Sequence, residues 1–145
     1  PDCATAELRD CSVEQVVNAY DSALLYTDHV LAEAIRLLAS RAEQLDTALL
    51  YVSDHGESLG EAGMYLHGLP YAIAPDVQPH VPLIAWLSPG FAAASRVAVG
   101  CLKARSGDAL SHDALFHSLL GVLDVSTSAY QRNLDVFSPC RKGSS

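Results

Sequence analysis

The run Thr47-Ala48-Leu49-Leu50-Tyr51-Val52 is apolar after its first residue and stops at once in Ser53-Asp54-His55-Gly56. Its length, its aromatic and β-branched residues and its abrupt polar end read as a strand covered on both faces in an α/β sheet. A chain leaving such a strand straight into a carboxylate and an imidazole puts both at the strand's carboxyl end, where open α/β sheets bind ligands. This constrains the fold strongly, because a strand apolar on both faces needs helices to cover it.

The covering helices are legible. Ser12-Val13-Glu14-Gln15 fits a capping box, and Val13, Val16, Val17, Tyr20, Leu24, Val30, Leu31, Ile35 and Leu38 largely keep helical spacing after it. A long amphipathic helix is expected to about Arg41, with Asp21, Asp28, Glu33 and Arg36 on its solvated face. Val81 to Leu87 reads as a second buried strand, left at a Ser88-Pro89-Gly90 turn. Ser111-His112-Asp113 opens a second helix, with Leu115, Phe116, Leu119, Leu120 and Leu123 on its apolar side. Beyond Asp124 the chain reads as a polar, loop-like tail that Cys140 would tie back.

With 145 residues, half of them apolar, one globular domain with a real core is accessible. The formal charge of −8, with no cluster of Lys and Arg, excludes a nucleic-acid surface. A bound cation would still let a phosphate group approach, since it reverses the local field. The uncharged stretch from Val77 to Ser95 is broken by Pro79, Pro82 and Pro89 and does not suit a membrane-spanning helix. The first residues, Pro-Asp-Cys-Ala-Thr, form no secretion signal and lack an initiator Met, so the chain is expected to be an excised piece of something longer.

Adjacent side chains leave a regular strand on opposite faces, so Asp54 and His55 share a ligand only if the backbone turns there. Gly56 is expected to supply that freedom. Carboxylate oxygen and neutral imidazole nitrogen are both ordinary zinc ligands. An Asp-His pair alone reads more readily as an exposed turn or a local hydrogen-bonded pair than as a metal site. The context here includes Glu57, Glu61 and a loop with Gly60 and Gly63 that can return His67 to the same pocket. Alone, His67 reads as a loop histidine held by backbone hydrogen bonds. His80, His112 and His117 read as structural or solvent-facing, and Trp86 as core. Cys3 and Cys11 bracket a polar segment ahead of the long helix, which suits a loop staple in an oxidising compartment, or else two ordinary thiols.

Ser53-Asp54-His55-Gly56-Glu57-Ser58-Leu59-Gly60-Glu61, then Gly63, Tyr65-Leu66-His67-Gly68, Pro70, Ala74-Pro75 and Val81-Pro82, closely resembles the lipid A phosphoethanolamine transferases of the alkaline phosphatase and sulfatase superfamily. The likeness extends to Asn18-Ala19-Tyr20-Asp21 and to Ser111-His112-Asp113. It implies an α/β fold, an alkaline-phosphatase-like sandwich with helices packed on a mixed, mainly parallel sheet. Residues 1–145 would be the C-terminal portion of a periplasmic catalytic domain. An N-terminal membrane domain and the first part of the catalytic domain would lie outside them.

The resemblance further implies zinc-dependent transfer of phosphoethanolamine from phosphatidylethanolamine to a lipid A phosphate, through a phosphorylated threonine, at the periplasmic face of the bacterial inner membrane. Such a modification lowers the surface charge that attracts cationic antimicrobial peptides such as polymyxin. Asp54 and His55 would ligate the zinc, His67 would be a further metal ligand or a catalytic group at the phosphate, and Glu57 a catalytic residue behind the ligands. Cys3 and Cys11 match a family disulfide, leaving Cys101 with Cys140. Ala62 departs from the family, where asparagine is common. Thr5, Thr27, Thr47 and Thr127 do not match the family's nucleophile, so this polypeptide by itself is expected to be inactive. The chemistry suits a metal site, because an anionic diester repels an anionic nucleophile unless a cation offsets the charge. A related phosphodiesterase or sulfatase-type hydrolase and a non-catalytic metal-binding fragment are the alternatives.

Overall fold

The computed structural model describes residues 3–143. Helix α1 runs Val13–Ser40. The capping box forms reciprocally at its start: Gln15 N donates to Ser12 Oγ at 3.2 Å and Ser12 N donates to Gln15 Oε1 at 2.9 Å. Of its apolar residues only Val16 is fully buried, while Leu24, Leu25, Tyr26 and Val30 are exposed. On the solvated face Arg36 pairs with Glu33.

Four strands follow in part: β1 Ala48–Val52, β2 Ser58–Leu59, β3 Tyr65–Leu66 and β4 Leu83–Leu87. They form two two-stranded sheets, β1 with β4 and β2 with β3. The expected mainly parallel sheet is overturned by their directions. Strands β2 and β3 pair antiparallel, Ser58 opposite Leu66 and Leu59 opposite Tyr65. Thr47, just before β1, is bonded to Ser88, just after β4: Ser88 N donates to Thr47 O at 2.9 Å and Thr47 N donates to Ser88 Oγ at 3.1 Å. The start of one strand therefore lies at the end of the other, and this pair is antiparallel too. A helix followed by an apolar strand suggests a βα repeat, but direction is set by the connections. Gly60–Met64 is too short for a parallel crossover, which needs a dozen residues or more. Nor are the longer strands covered on both faces: β1 is half-buried and β4 exposes Ile84 and Ala85.

Three more helices complete the described residues, α2 Pro89–Ala94, α3 Val99–Ala104 and α4 Asp113–Val122. The expected turn at Ser88 is a helix start. Its buried hydroxyl also accepts from Phe91 N at 3.1 Å, and Pro89 takes the first helical position, where a missing N–H costs nothing. Helix α4 forms where expected but buries the opposite face. Ala114, His117, Ser118 and Gly121 are buried, while Phe116, Leu119 and Leu123 are exposed. The reason is the segment after Asp124, which packs against the small, polar side of the helix. Val136 N donates to Ser118 Oγ at 2.9 Å, Gln131 N donates to His117 Nδ1 at 3.1 Å, and a Cβ on Gly121 would collide with the Asp135 carboxylate.

Two units result, one made of residues up to Leu37 with Leu50–Ala85, the other of Leu38–Leu49 with the chain from Trp86 onward. Disulfides join Cys3 to Cys11, with Cα atoms 5.9 Å apart, and Cys101 to Cys140, with Cα atoms 5.5 Å apart. No helix among the described residues is long and apolar enough to cross a membrane.

Candidate metal centre

The site grows from the end of β1. Ser53 Oγ donates to His55 O at 2.8 Å, and Asp54 Oδ1 accepts from His55 N at 3.1 Å, so the two polar side chains bend the chain as the strand ends. Gly56 is needed for closeness; left-handed freedom, the expected reason, is not used. Its φ is not positive, its N donates to Gln78 O at 2.7 Å, and a Cβ there would collide with Val77 O.

The hairpin then does what the Gly-rich loop suggested. Ser58 opposite Leu66 sets Glu57, one residue earlier, against His67, one residue later. His67 Nδ1 lies 2.8 Å from Glu57 Oε1. Gln78 clamps the hairpin, its Nε2 donating to the buried Ser58 Oγ at 2.7 Å and to Leu66 O at 3.1 Å. Leu66 has φ 63°, a conformation costing a bulky L-residue about 1–3 kcal/mol, and this clamp helps hold it. Sequence reading missed Gln78, whose Val77-Gln78-Pro79 setting carries no signal.

His55, Glu57 and His67 come together, each offering one ligand atom within 4.8 Å of the others. The imidazoles stack with centroids 3.7 Å apart and planes tilted by 30°. His55 Nδ1 is 3.1 Å from Gly56 O and 3.8 Å from Glu57 Oε1. A carbonyl only accepts, so this contact assigns the His55 proton to Nδ1 and leaves Nε2 as the lone-pair atom. The carboxylate assigns the His67 proton to Nδ1 likewise, the pairing that orients histidine ligands in zinc sites. Asp54 is outside the three-residue group and 89% exposed, yet its Oδ2 stands 3.7 Å from His55 Nε2. That is less than twice a zinc–ligand bond of about 2 Å, so both atoms can reach one ion.

A cation fits this donor set. Glu57 Oε2 is buried without a hydrogen-bond partner among the described residues, a costly state for a carboxylate oxygen that a nearby positive charge relieves. His80 and His112 stand outside the group, and His117 is buried in α4 with Nδ1 accepting a backbone hydrogen bond. Trp86 is half-buried in β4.

The loop between the strands is strained at one point. Ala62 has φ 52° and ψ 28°, a left-handed geometry that asparagine tolerates and alanine does not. Ala62→Asn is expected to raise stability by about 0.5–1 kcal/mol in urea unfolding. An unchanged or lowered midpoint would mean that packing at the Ala62 methyl outweighs the backbone cost.

The family model described as Sulfatase matches residues 1–125. The chain is 48% identical over 143 residues to phosphoethanolamine transferase EptA of Salmonella typhimurium, an alignment covering 98% of this chain and 26% of that protein. Against phosphatidylethanolamine transferase Mcr-1 of Escherichia coli it is 42% identical over 125 residues, covering 86% of this chain and 22% of the relative. The soluble domain of lipooligosaccharide phosphoethanolamine transferase A from Neisseria meningitidis superposes with a TM-score of 0.91 at 41% identity, covering 98% of this chain and 43% of that one. The C-terminal periplasmic domain of phosphoethanolamine transferase EptC from Campylobacter jejuni gives 0.85 at 45% identity, with 98% and 44% covered. The chain thus spans about a quarter of the length of these curated relatives. With most of its length matched by the family model and a potential ligand cluster at the end of β1, the chain belongs to the sulfatase family and is a homologue of the EptA-type phosphoethanolamine transferases.

Proposed function

We propose that these residues form the C-terminal portion of a zinc-dependent phosphoethanolamine transferase. It takes phosphoethanolamine from phosphatidylethanolamine and delivers it to a lipid A phosphate through a phosphothreonine. The observation that carries the reading is the meeting of His55, Glu57 and His67 beside Asp54, in a chain that aligns over 98% of its length with such transferases. The periplasmic face of the inner membrane is the matching location, since a solved relative is named as a periplasmic domain.

Asp54 Oδ2 and His55 Nε2 would hold the zinc, with the Gly56 carbonyl fixing the His55 tautomer. Bound there, zinc supplies a Lewis acid for a phosphoryl oxygen and lowers the pKa of a coordinated hydroxyl. Glu57 keeps the His67 proton on Nδ1, so His67 turns its Nε2 lone pair to a phosphate-borne proton or a second cation. The chain's four threonines are engaged elsewhere: Thr47 Oγ1 donates to Leu38 O, Thr27 Oγ1 donates to Ala23 O, and Thr5 and Thr127 accept from nearby backbone N–H groups. None of the four bonds to Asp54, His55, Glu57 or His67, and this reading assigns the nucleophilic threonine to other residues.

The test is reconstitution of the full-length protein in vesicles containing phosphatidylethanolamine and lipid A. Diacylglycerol and modified lipid A should appear in equal amounts by mass spectrometry. Release of soluble phosphoethanolamine without acceptor modification would instead mark a hydrolase, and neither product would mark a non-catalytic chain.

A further inference from the structure

Glu57 and His67 hang on a hairpin whose strands are two residues each, too few to hold their register unaided. We propose that Gln78 is the positioning residue for the transfer reaction: from outside the ligand group, it fixes the hairpin so that the His67 ring meets Glu57 and keeps its Nε2 lone pair for the metal or the phosphate. The role in transfer rests on the transferase reading, while the grip itself stands on hydrogen bonds alone.

Gln78 holds the chain at three points. Its backbone carbonyl accepts from Gly56 N at 2.7 Å, immediately before Glu57. Its side-chain Nε2 donates to Ser58 Oγ at 2.7 Å, immediately after Glu57, and to Leu66 O at 3.1 Å, immediately before His67. Both neighbours of Glu57 and the residue leading into His67 are thus tied to a single residue. The approach is close as well: a Cβ on Gly56 would collide with Val77 O, so this stretch of chain lies directly against the start of the hairpin.

Gln78 is itself anchored. Its N donates to Pro75 O at 2.9 Å and His80 N donates to Asp76 O at 3.0 Å, closing turns about it. With Gln78 5% exposed and Ser58 1%, water does not compete for these bonds. The orientation of the amide is fixed too, because Leu66 O is a carbonyl that only accepts, so the nitrogen must face it.

Leu66 is where the grip bears on His67. At φ 63° its backbone is strained for a residue with a Cβ, and relaxation to an ordinary φ would turn the next peptide and swing His67 away from Glu57. The bond from Gln78 to Leu66 O opposes that turn.

The first measurement needs no substitution. The Gln78 side-chain NH2 protons of the metal-free full chain should exchange with water at least ~tenfold more slowly than those of exposed Gln44. The second replaces Gln78 by methionine, which keeps the length and loses the donors. In 15N spectra of the metal-free histidine rings at about pH 9, where imidazole is neutral, His67 should show the Nδ1–H form that Glu57 selects, and Gln78→Met should lose that pattern. His117 is the control: its Nδ1 accepts from Gln131 N, so it keeps the Nε2–H form in both proteins unless the fold is lost, in which case the exchange result decides. In the full-length protein the same substitution should lower kcat and kcat/KM together by about tenfold or more, with KM unchanged, since Gln78 acts on His67 and not on substrate. Fast exchange of the Gln78 amide, an unaltered His67 pattern in Gln78→Met, or an unaltered kcat beside an altered pattern each overturns the proposal. Absence of transfer by the unaltered full-length protein would instead overturn the transferase reading, with exchange and tautomer still deciding whether Gln78 holds the ring.

Discussion

His55→Ala in the full-length protein is expected to strip zinc from the site and to cut phosphoethanolamine transfer by more than about 100-fold, beyond the range typical for losing a partner behind a ligand. Asp54→Ala should match it, because Oδ2 of Asp54 is the atom facing His55 Nε2. Glu57→Gln should cost less, about 10–100-fold, since glutamine still accepts from His67 Nδ1 while losing the charge that orients it. The three variants thus form an ordered series, read by metal content and transfer rate together. Each side chain is at least one quarter exposed, so circular dichroism should show an unchanged fold and separate site loss from unfolding. If Asp54→Ala keeps both zinc and activity, the ion belongs on the other edge of His55, among Glu57 and His67. If Glu57→Gln loses zinc as fully as His55→Ala, the Glu57 carboxylate is a ligand and the tautomer assignment fails.

What the sequence showed of this site, and what it hid, has a physical pattern. Signals that live within a few residues were legible: the capping box at Ser12, the extent of α1, the strand ending at Ser53 and the start of α4. Strand direction was not, because a βα-like pattern says nothing of the connection that follows, and here β2 and β3 form an antiparallel hairpin. The pairing of Glu57 with His67 depends on that register, which the five residues between Leu59 and Tyr65, three of them Gly60, Ala62 and Gly63 at positive φ, make possible. The buried face of α4 was read backwards because periodicity finds the apolar stripe, while burial went to Ala114, His117, Ser118 and Gly121 under a polar segment. Such a segment is invisible to hydrophobic patterning, since its own buried groups include Asp135 and Ser138. Gly56 was recognised as necessary, but for turning where the structure needs it for close approach to Val77.

Removing the Cys101–Cys140 disulfide, by replacing both residues with alanine, is expected to cost about 4 kcal/mol of stability, against about 2.5 kcal/mol for the same change at Cys3 and Cys11. The bridges span 39 and 8 residues respectively, and the longer loop is the more restricted in the unfolded chain once cross-linked. The folded state points the same way. The segment after Asp124 has no long helix or strand to secure it, and the buried apolar residues of its unit are few, among them Val97, Ala114, Phe137 and Cys140 itself. A small core leaves more of the stability to covalent closure. Asp135 and Arg141 lie on the segment that the bridge anchors, so its loss should also free the Arg141 side chain and weaken the contact of Tyr130 with Asp135. Urea unfolding of the two double variants checks the order, with the wild type under reducing agent as a third curve. A smaller loss at Cys101 and Cys140 than at Cys3 and Cys11 would mean that the C-terminal segment keeps its place through Phe137 and the Asp135 hydrogen bonds alone.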